Sequence, residues 1–256
     1  WERTGATPND MRGENIEKLY RLRTSRRWRE RLYRLLRPPD PFVSNPREHA
    51  IDAPLGKWNL YVGGAGSRVP GYVNVDLFPL PGVTVAASLE QLPFPGNLFQ
   101  RVECDAVLEH VGNPDAAMRE IERVLAPGGY AHLVVPFCHP YHQYPSDFRR
   151  FTPDGLKQMA GSLEIAGAGW RTGPTATLLV FLLEYIKIWL PWRPARMLAH
   201  GVAGWLLFPL RYLDVLLFHF SRSGQIGNHH YLWLRKPFPG GDPAAQHRTE
   251  NHAPAP

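Results

Sequence analysis

Between residues 58 and 136 the apolar positions fall into short runs separated by turn residues. Leu60, Tyr61 and Val62 form a strand-like run that ends at Gly63, Gly64 and Gly66. Val73 and Val75 flank Asn74 in a period-two pattern that ends at Asp76. Val83–Ala87 predicts a third short strand. Arg101–Val107, with a start as early as Phe99, predicts a fourth, and Leu92–Asn97 (LPFPGN) reads as a turn before it. Ala117, Ile121, Val124 and Leu125 share a helical face after Asn113-Pro114, where proline suits the first turn. Pro127-Gly128-Gly129 is expected to end that helix. Tyr130–Val135 is nearly all apolar, as a buried parallel strand should be. Thr152 and Pro153 read as the cap and first position of a further helix, and residues 231–236 (YLWLRK) as the last strand. Strands alternating with helices predict an α/β fold with a doubly wound, mostly parallel sheet. Ligands of such sheets sit beyond the carboxyl ends of the strands. Gly63–Gly66, Asp76, Ser88, Glu109 and Phe137–Pro145 all fall at that edge.

The flanks differ from this core. Glu14–Arg37 is helical in composition, with Ile16, Leu19 and Tyr20 on one face and Trp28, Leu32, Leu35 and Leu36 on another. Thr24-Ser25 marks a break between them and Pro38-Pro39 a stop. Residues 12–37 hold ten Lys or Arg against three Glu, a surplus of seven in a chain whose total is +6. The basic character therefore belongs to this segment and not to the fold. Such a helix can lie on an anionic membrane or pack on the domain with its arginines solvated. No recognised nucleic-acid module accompanies it, so no nucleic acid is expected as a partner. Pro41–Lys57 reads as a linker.

Residues 175–220 are strongly apolar. Glu184 and Lys187 interrupt the first runs, Met197–Leu210 carries no formal charge, and Arg211 and Asp214 follow at helical spacing. No stretch reaches the ~18 uninterrupted apolar residues of a spanning helix. Three readings stand side by side: a cap over an apolar substrate pocket, a membrane-interface contact, and a homodimer face. The chain thus divides into a basic helix and linker (1–57), a core (58–172), an apolar helical segment (173–222), a final core strand (223–236) and a disordered tail (237–256). Its 256 residues, 44% of them hydrophobic, suit one α/β domain with additions. Cys104 and Cys138 make no disulfide framework and no signal-like run opens the sequence. The expected location is the cytoplasm, with the inner face of a membrane as the place of any lipid contact.

The segment of densest chemistry is Cys138–Arg150, CHPYHQYPSDFRR, which follows the fifth strand. His139 and His142 are candidate general bases, since imidazole titrates near neutrality. Tyr141, Tyr144, Asp147 and Arg150 are the candidate substrate-binding residues, and Asp147 with Arg149 or Arg150 also reads as an ion pair that shapes the loop. Cys138, His139 and His142 are close in sequence, but Pro140 intervenes and no second cysteine pair is near, so no metal is expected. His229-His230 reads as an exposed loop pair.

The ordered blocks VGGAG, VNVD, LEQLPFPGNLF, AVLEHVGNP, IERVLAPGGY and LVVPF resemble the class I S-adenosylmethionine-dependent methyltransferases, closest to small type-11-like enzymes. The resemblance spans about Trp58–Met159. It implies S-adenosylmethionine as cofactor, with Gly63, Gly64 and Gly66 beneath its methionine part and Asp76 on the ribose hydroxyls. Leu77 would lie against the adenine, and Ser88 and Leu89 beside it. Glu109 and His110 would face cofactor and substrate, which adds His110 to the catalytic candidates. The implied activity is methyl transfer to an oxygen or nitrogen of a small molecule such as a sugar, a lipid-linked sugar or a polyketide-like acceptor. Three features depart from the pattern. Tyr61 stands where an acid is usual, Ser88 stands where a second acid is usual, and only ten positions separate Gly66 from Asp76. Tyr61 and Ser88 would also suit a cofactor-degenerate interaction protein at a membrane surface. A nucleotide-sugar or dinucleotide enzyme on a similar sheet fits the LPF turn and the LEHV block less well.

Overall fold

The computed structural model describes residues 43–143 and 145–239. The basic segment Glu14–Arg37, Tyr144 and the tail from residue 240 lie outside the described residues. Seven strands form one sheet: β1 (Asn59–Val62), β2 (Val73–Asp76), β3 (Val85–Ala86), β4 (Phe99–Asp105), β5 (Leu125–Pro136), β6 (Glu164–Trp170) and β7 (His229–Arg235). Their order across the sheet is β3-β2-β1-β4-β5-β7-β6. Strands β1 to β5 pair in parallel. β7 runs antiparallel to both β5 and β6. The predicted α/β class with a mostly parallel, doubly wound sheet is the observed one.

The central strands are buried on both faces. Leu60, Phe99, Val102, Leu133, Leu232 and Leu234 are fully inaccessible in the main core. Helix α1 (Pro114–Val124) covers this core with Ala117, Met118, Ile121 and Val124. Asn113 caps it by accepting from the Ala116 amide at 3.1 Å, and Pro114 occupies the first turn. Glu120 and Arg123 on α1 hold the LPFPGN turn: Glu120 accepts from the Leu92 amide at 2.7 Å, and Arg123 donates to the Phe94 carbonyl at 2.7 Å. Helix α2 (Pro153–Gln158) opens as expected, with Thr152 Oγ1 accepting from the Gly155 amide at 3.1 Å.

Several expectations change. The first helix ends at Val124, and residues 125–129 already belong to β5, with a register shift opposite Phe99–Arg101. Residues 43–57 are more than a linker. Pro46–His49 forms a 3₁₀ turn, and it places Glu48 fully inside the molecule. Strand β6 carried no strong sequence signal, because an edge strand with the sequence EIAGAGW leaves much of its length exposed. His229 and His230 are no exposed loop pair: they open β7, half-buried and buried respectively, opposite Pro136 and Val135.

After β6 come helices α3 (Pro174–Ile188), α4 (Arg193–Leu207) and α5 (Leu213–Leu217). Asp214 on α5 is buried, and its carboxylate accepts from the Thr175 and Ala176 amides at 2.8 and 3.0 Å, capping α3. Gly173 is needed there: a Cβ on it would lie 2.4 Å from Asp214 Cγ. Helix α4 buries none of its residues. No helix among the described residues is long and apolar enough to cross a membrane.

Candidate active site

The carboxyl ends of β1, β2, β4 and β5 lie along one edge of the sheet, joined there by the end of β6 and, because β7 is antiparallel, by its start. The left part of that edge is built from backbone. Gly63 has φ +77° and Gly66 φ +76°, values that favour glycine. A Cβ on Gly63 would lie 2.2 Å from Val107 Cγ2. Asp76 ends β2 and ties the turn together: Oδ2 accepts from the Ala65 amide at 2.9 Å and Oδ1 from the Phe78 amide at 3.2 Å. Each oxygen keeps a further lone pair for a ligand hydroxyl. Leu77 beside it is 42% exposed, an apolar surface next to an acid. Leu89 is packed in the main core, and Ser88 Oγ accepts from the Glu90 amide at 3.2 Å. Tyr61 lies on β1 between Asn74 and Glu103, edge-on to Tyr72.

The right part of the edge is built from titratable side chains. A 3₁₀ turn, Leu108–His110, follows β4, and the loop 137–152 follows β5. The two are joined where the Phe148 amide donates to the Glu109 carbonyl at 2.8 Å. Glu109 is fully buried, and among the described residues neither of its carboxylate oxygens has a hydrogen-bond partner. His142 Nε2 lies 3.5 Å and His110 Nε2 3.7 Å from Glu109 Oε1. The His110 and His142 rings meet edge to face at 5.0 Å. His139 stands against His142 at 4.6 Å and against His229 at 5.3 Å.

Burial pushes the Glu109 carboxyl up to about 7, helped by the charges of Asp147 and Asp105 and opposed by Arg150. Desolvation holds the imidazoles of His110, His139 and His142 below their ordinary value. His229 is held down to about 3, by burial first and then by its neighbours His139 and Arg171.

Asp147 and Arg150 are committed to the loop itself. Arg150 forms a two-pronged ion pair with Asp147 and also donates to the carbonyls of His139 and Pro140 at 3.1 and 2.8 Å. Asp147 Oδ2 accepts from the His142 amide at 2.8 Å, and the Arg150 bonds hold its carboxyl down to about 2. Of the two readings of this pair, the loop-shaping one matches the observed bonds. Tyr141 is exposed at the loop tip, and Tyr144 lies outside the described residues.

Three residues of this edge carried no functional expectation. Asp105 ends β4 and accepts from Arg171 Nη1 at 2.6 Å, while Arg171 Nε reaches the buried Glu48 at 2.6 Å. His229 joins the histidine group from the antiparallel strand. The contacts that place them span 66 positions from Arg171 to Asp105, 123 from Arg171 to Glu48 and 90 from His229 to His139, beyond the reach of local pattern.

The glycine turn, Asp76 and the exposed Leu77 suit a nucleoside with a charged amino-acid arm: close-approaching backbone, a hydroxyl acceptor and an apolar floor. The chain was compared with known proteins. Residues 73–133 match the family model described as "Methyltransferase domain". The chain is 36% identical over 97 residues to the ubiquinone/menaquinone biosynthesis C-methyltransferase UbiE of Shewanella frigidimarina, covering 38% of this chain and 36% of that protein. It is 44% identical over 84 residues to the UbiE of Shewanella baltica, covering 33% and 31% respectively. It thus spans about a third of the length of these curated relatives. Among solved structures, the N-methyltransferase NodS of Bradyrhizobium japonicum with S-adenosyl-L-homocysteine aligns over 88% of this chain and 99% of that one, at 12% identity and TM-score 0.46. The 1,6-didemethyltoxoflavin-N1-methyltransferase of Burkholderia thailandensis aligns over 93% and 94%, at 13% identity and TM-score 0.47. The sequence match runs from β2 into β5 of this sheet, so residues 73–133 resemble a methyltransferase domain.

Proposed function

We propose that this chain transfers the methyl group of S-adenosylmethionine to an oxygen or nitrogen of a small molecule that has an apolar part. The observation that carries this reading is the division of one sheet edge. A backbone cradle with an acid lies at β1 and β2, and a buried carboxylate with histidines lies beside it at β4 and β5.

The bound cofactor supplies a methyl group on a positively charged sulfur. What remains for the chain is positioning and proton removal. The amides of Gly63–Gly66 and the carboxylate of Asp76 would hold the cofactor, with Leu77 against its ring. Glu109, His110 and His142 would hold the nucleophilic atom of the acceptor and take up its proton, with His139 supporting His142. Positioning of this kind supplies the larger part of the acceleration, and a proton acceptor adds about 10²–10⁴-fold. Tyr141 and Tyr144 would flank the acceptor, whereas Asp147 and Arg150 would act by fixing the loop that carries His142.

Helices α3 to α5 follow β6 directly, and the large side chains Phe181, Tyr185, Trp189, Trp205 and Leu206 on them are exposed. They would offer an apolar surface to a hydrophobic acceptor, at the face of a membrane where such acceptors reside. A carbon acceptor is the second reading, because the matched relatives are named C-methyltransferases.

The test is release of S-adenosylhomocysteine from S-adenosylmethionine by the full chain, with apolar-tailed sugars, phenols and quinols offered in parallel. Turnover with a tailed acceptor but not with its tail-less analogue supports the reading. Equal turnover with both would remove the apolar requirement, and a product methylated at carbon would favour the second reading.

A further inference from the structure

Glu109, His110 and His142 turn their polar atoms towards one another. One ring nitrogen of each histidine and a Glu109 oxygen all lie within 4.8 Å of one another. Among the described residues, neither Glu109 oxygen is hydrogen-bonded, although the side chain is fully buried. An orphaned carboxylate in that position is destabilising unless something neutralises it.

His110 does not do so in the tautomer that its outer bond selects. His110 Nδ1 is bonded to the Ser146 carbonyl, an acceptor, so its proton sits there. His142 Nδ1 lies 3.4 Å from the Pro140 carbonyl, 3.5 Å from Asp147 Oδ2 and 3.5 Å from Arg150 Nη2, two acceptors and one donor. The His110 Nε2 lone pair then points towards the Glu109 carboxylate, and His142 Nε2 faces the same oxygen. The 3.5 and 3.7 Å separations are too long for hydrogen bonds. They are close to the ~3.3 Å between two ligands bound at ~2.0 Å to one tetrahedral ion.

We infer that Glu109, His110 and His142 form a three-ligand site for a divalent first-row transition metal. Two imidazoles and one carboxylate suit zinc, iron(II) or manganese and leave coordination positions open. Ser146 holds the outer nitrogen of His110, and Pro140, Asp147 and Arg150 surround that of His142, so each ring is oriented from outside. Burial decides which way the open positions face. Glu109 closes the site from inside, while the His142 side chain is 33% accessible, so the opening is on its side. The ion would act as a Lewis acid on an acceptor atom that reaches it from there. This role deepens the function proposed above and rests on it; the binding of the ion does not. It also revises the expectation of no metal, which considered Cys138, His139 and His142 and not the two residues after β4.

The test uses the full chain stripped with a chelator and titrated with Zn²⁺ by calorimetry, with Co²⁺ absorption as a report on ligand geometry. One equivalent of zinc is expected to bind, at least tenfold more weakly to His142→Ala and to Glu109→Gln, and unchanged in affinity to His219→Ala, an exposed histidine elsewhere. His142 sits on a half-exposed loop, so its variant is informative even where Glu109→Gln fails to fold. Zinc binding equal in wild type and folded His142→Ala, or no binding to wild type, would overturn the inference and leave a proton as the ion between these residues. S-adenosylhomocysteine binding on the same samples separates the two claims. Cofactor binding without zinc sinks only the metal site, whereas zinc binding without cofactor sinks only the methyltransferase function.

Discussion

The two halves of the sheet edge are made of different material. At β1 and β2 the ligand-facing groups are backbone amides and one carboxylate, all within a stretch that runs from Gly63 to Asp76. At β4, β5 and β7 they are side chains from three separate segments, Glu109 buried and the histidines half-buried, with pKa values shifted from the ordinary ones. The first half depends on conformation and little on titration, as a cradle for a constant ligand does. The second depends on desolvated, mutually facing groups, as a site that handles a reacting atom does. Under the proposed function, one half would recognise the cofactor and the other would act on the acceptor, and this division can be broken from either side.

The largest effect is expected on the side-chain half. His142→Ala should lower the turnover rate by about 10²–10⁴-fold while leaving affinity for S-adenosylhomocysteine within about twofold. A parallel loss of cofactor affinity would erase the division. On the backbone half, Gly63→Val places a branched side chain at φ +77° against Val107. Strain of this kind costs about 1–3 kcal/mol before any clash is counted, so cofactor affinity and thermal midpoint should fall together. A Gly63→Val protein with wild-type affinity would show that the turn is no cradle.

A smaller effect lies outside the edge. Asp214→Ala removes the acceptor for two α3 amides and should cost about 0.5–2 kcal/mol, read as a lower midpoint of denaturant unfolding. Asp214→Asn should recover part of it.

The smallest prediction concerns pH. His132 Nδ1 lies 2.8 Å from Glu103 Oε2, its Nε2 lies 3.2 Å from Glu48 Oε1, and the ring stacks on Trp233. Desolvation opposes charge on all three groups, but their mutual bonds outweigh it. With help from Arg171 and Arg101, Glu48 and Glu103 are held below the ordinary value and His132 is held above it. The carboxylate contribution is present above about pH 4.5 and is lost as pH falls through their lowered values. The imidazolium contribution is complete below pH 6.5 and is lost as pH rises through its raised value. The stability difference between wild type and His132→Gln should therefore be largest between those limits and shrink as pH rises beyond them. A difference that grew with pH would reverse the assignment.

How far the sequence could be read follows the same contrast. The glycine turn and Asp76 were legible because close backbone approach and positive φ leave a local trace. Strands β1, β2 and β4 and helix α1 were legible because their apolar periods and the Asn113-Pro114 cap are local too. The meeting of Glu109 and His110 with His142 was only half visible. Both loops were placed at the same edge by topology, but nothing local states that their side chains converge. His229 was invisible as a site residue because its strand returns antiparallel from 90 positions beyond His139. Glu48 was hidden in a proline-bearing stretch whose burial depends on Arg171 and His132. In α3 and α4 the apolar content was plain, but the sequence does not say which faces the core leaves uncovered.

The central claim is that this edge binds S-adenosylmethionine through its backbone half. Calorimetry of the full chain with S-adenosylhomocysteine, beside Asp76→Ala and Asp76→Asn, tests it most directly. The account predicts micromolar one-to-one binding, weakened at least tenfold in Asp76→Ala and less in Asp76→Asn. Absence of binding at millimolar ligand in a folded sample, or an affinity indifferent to Asp76, would contradict it.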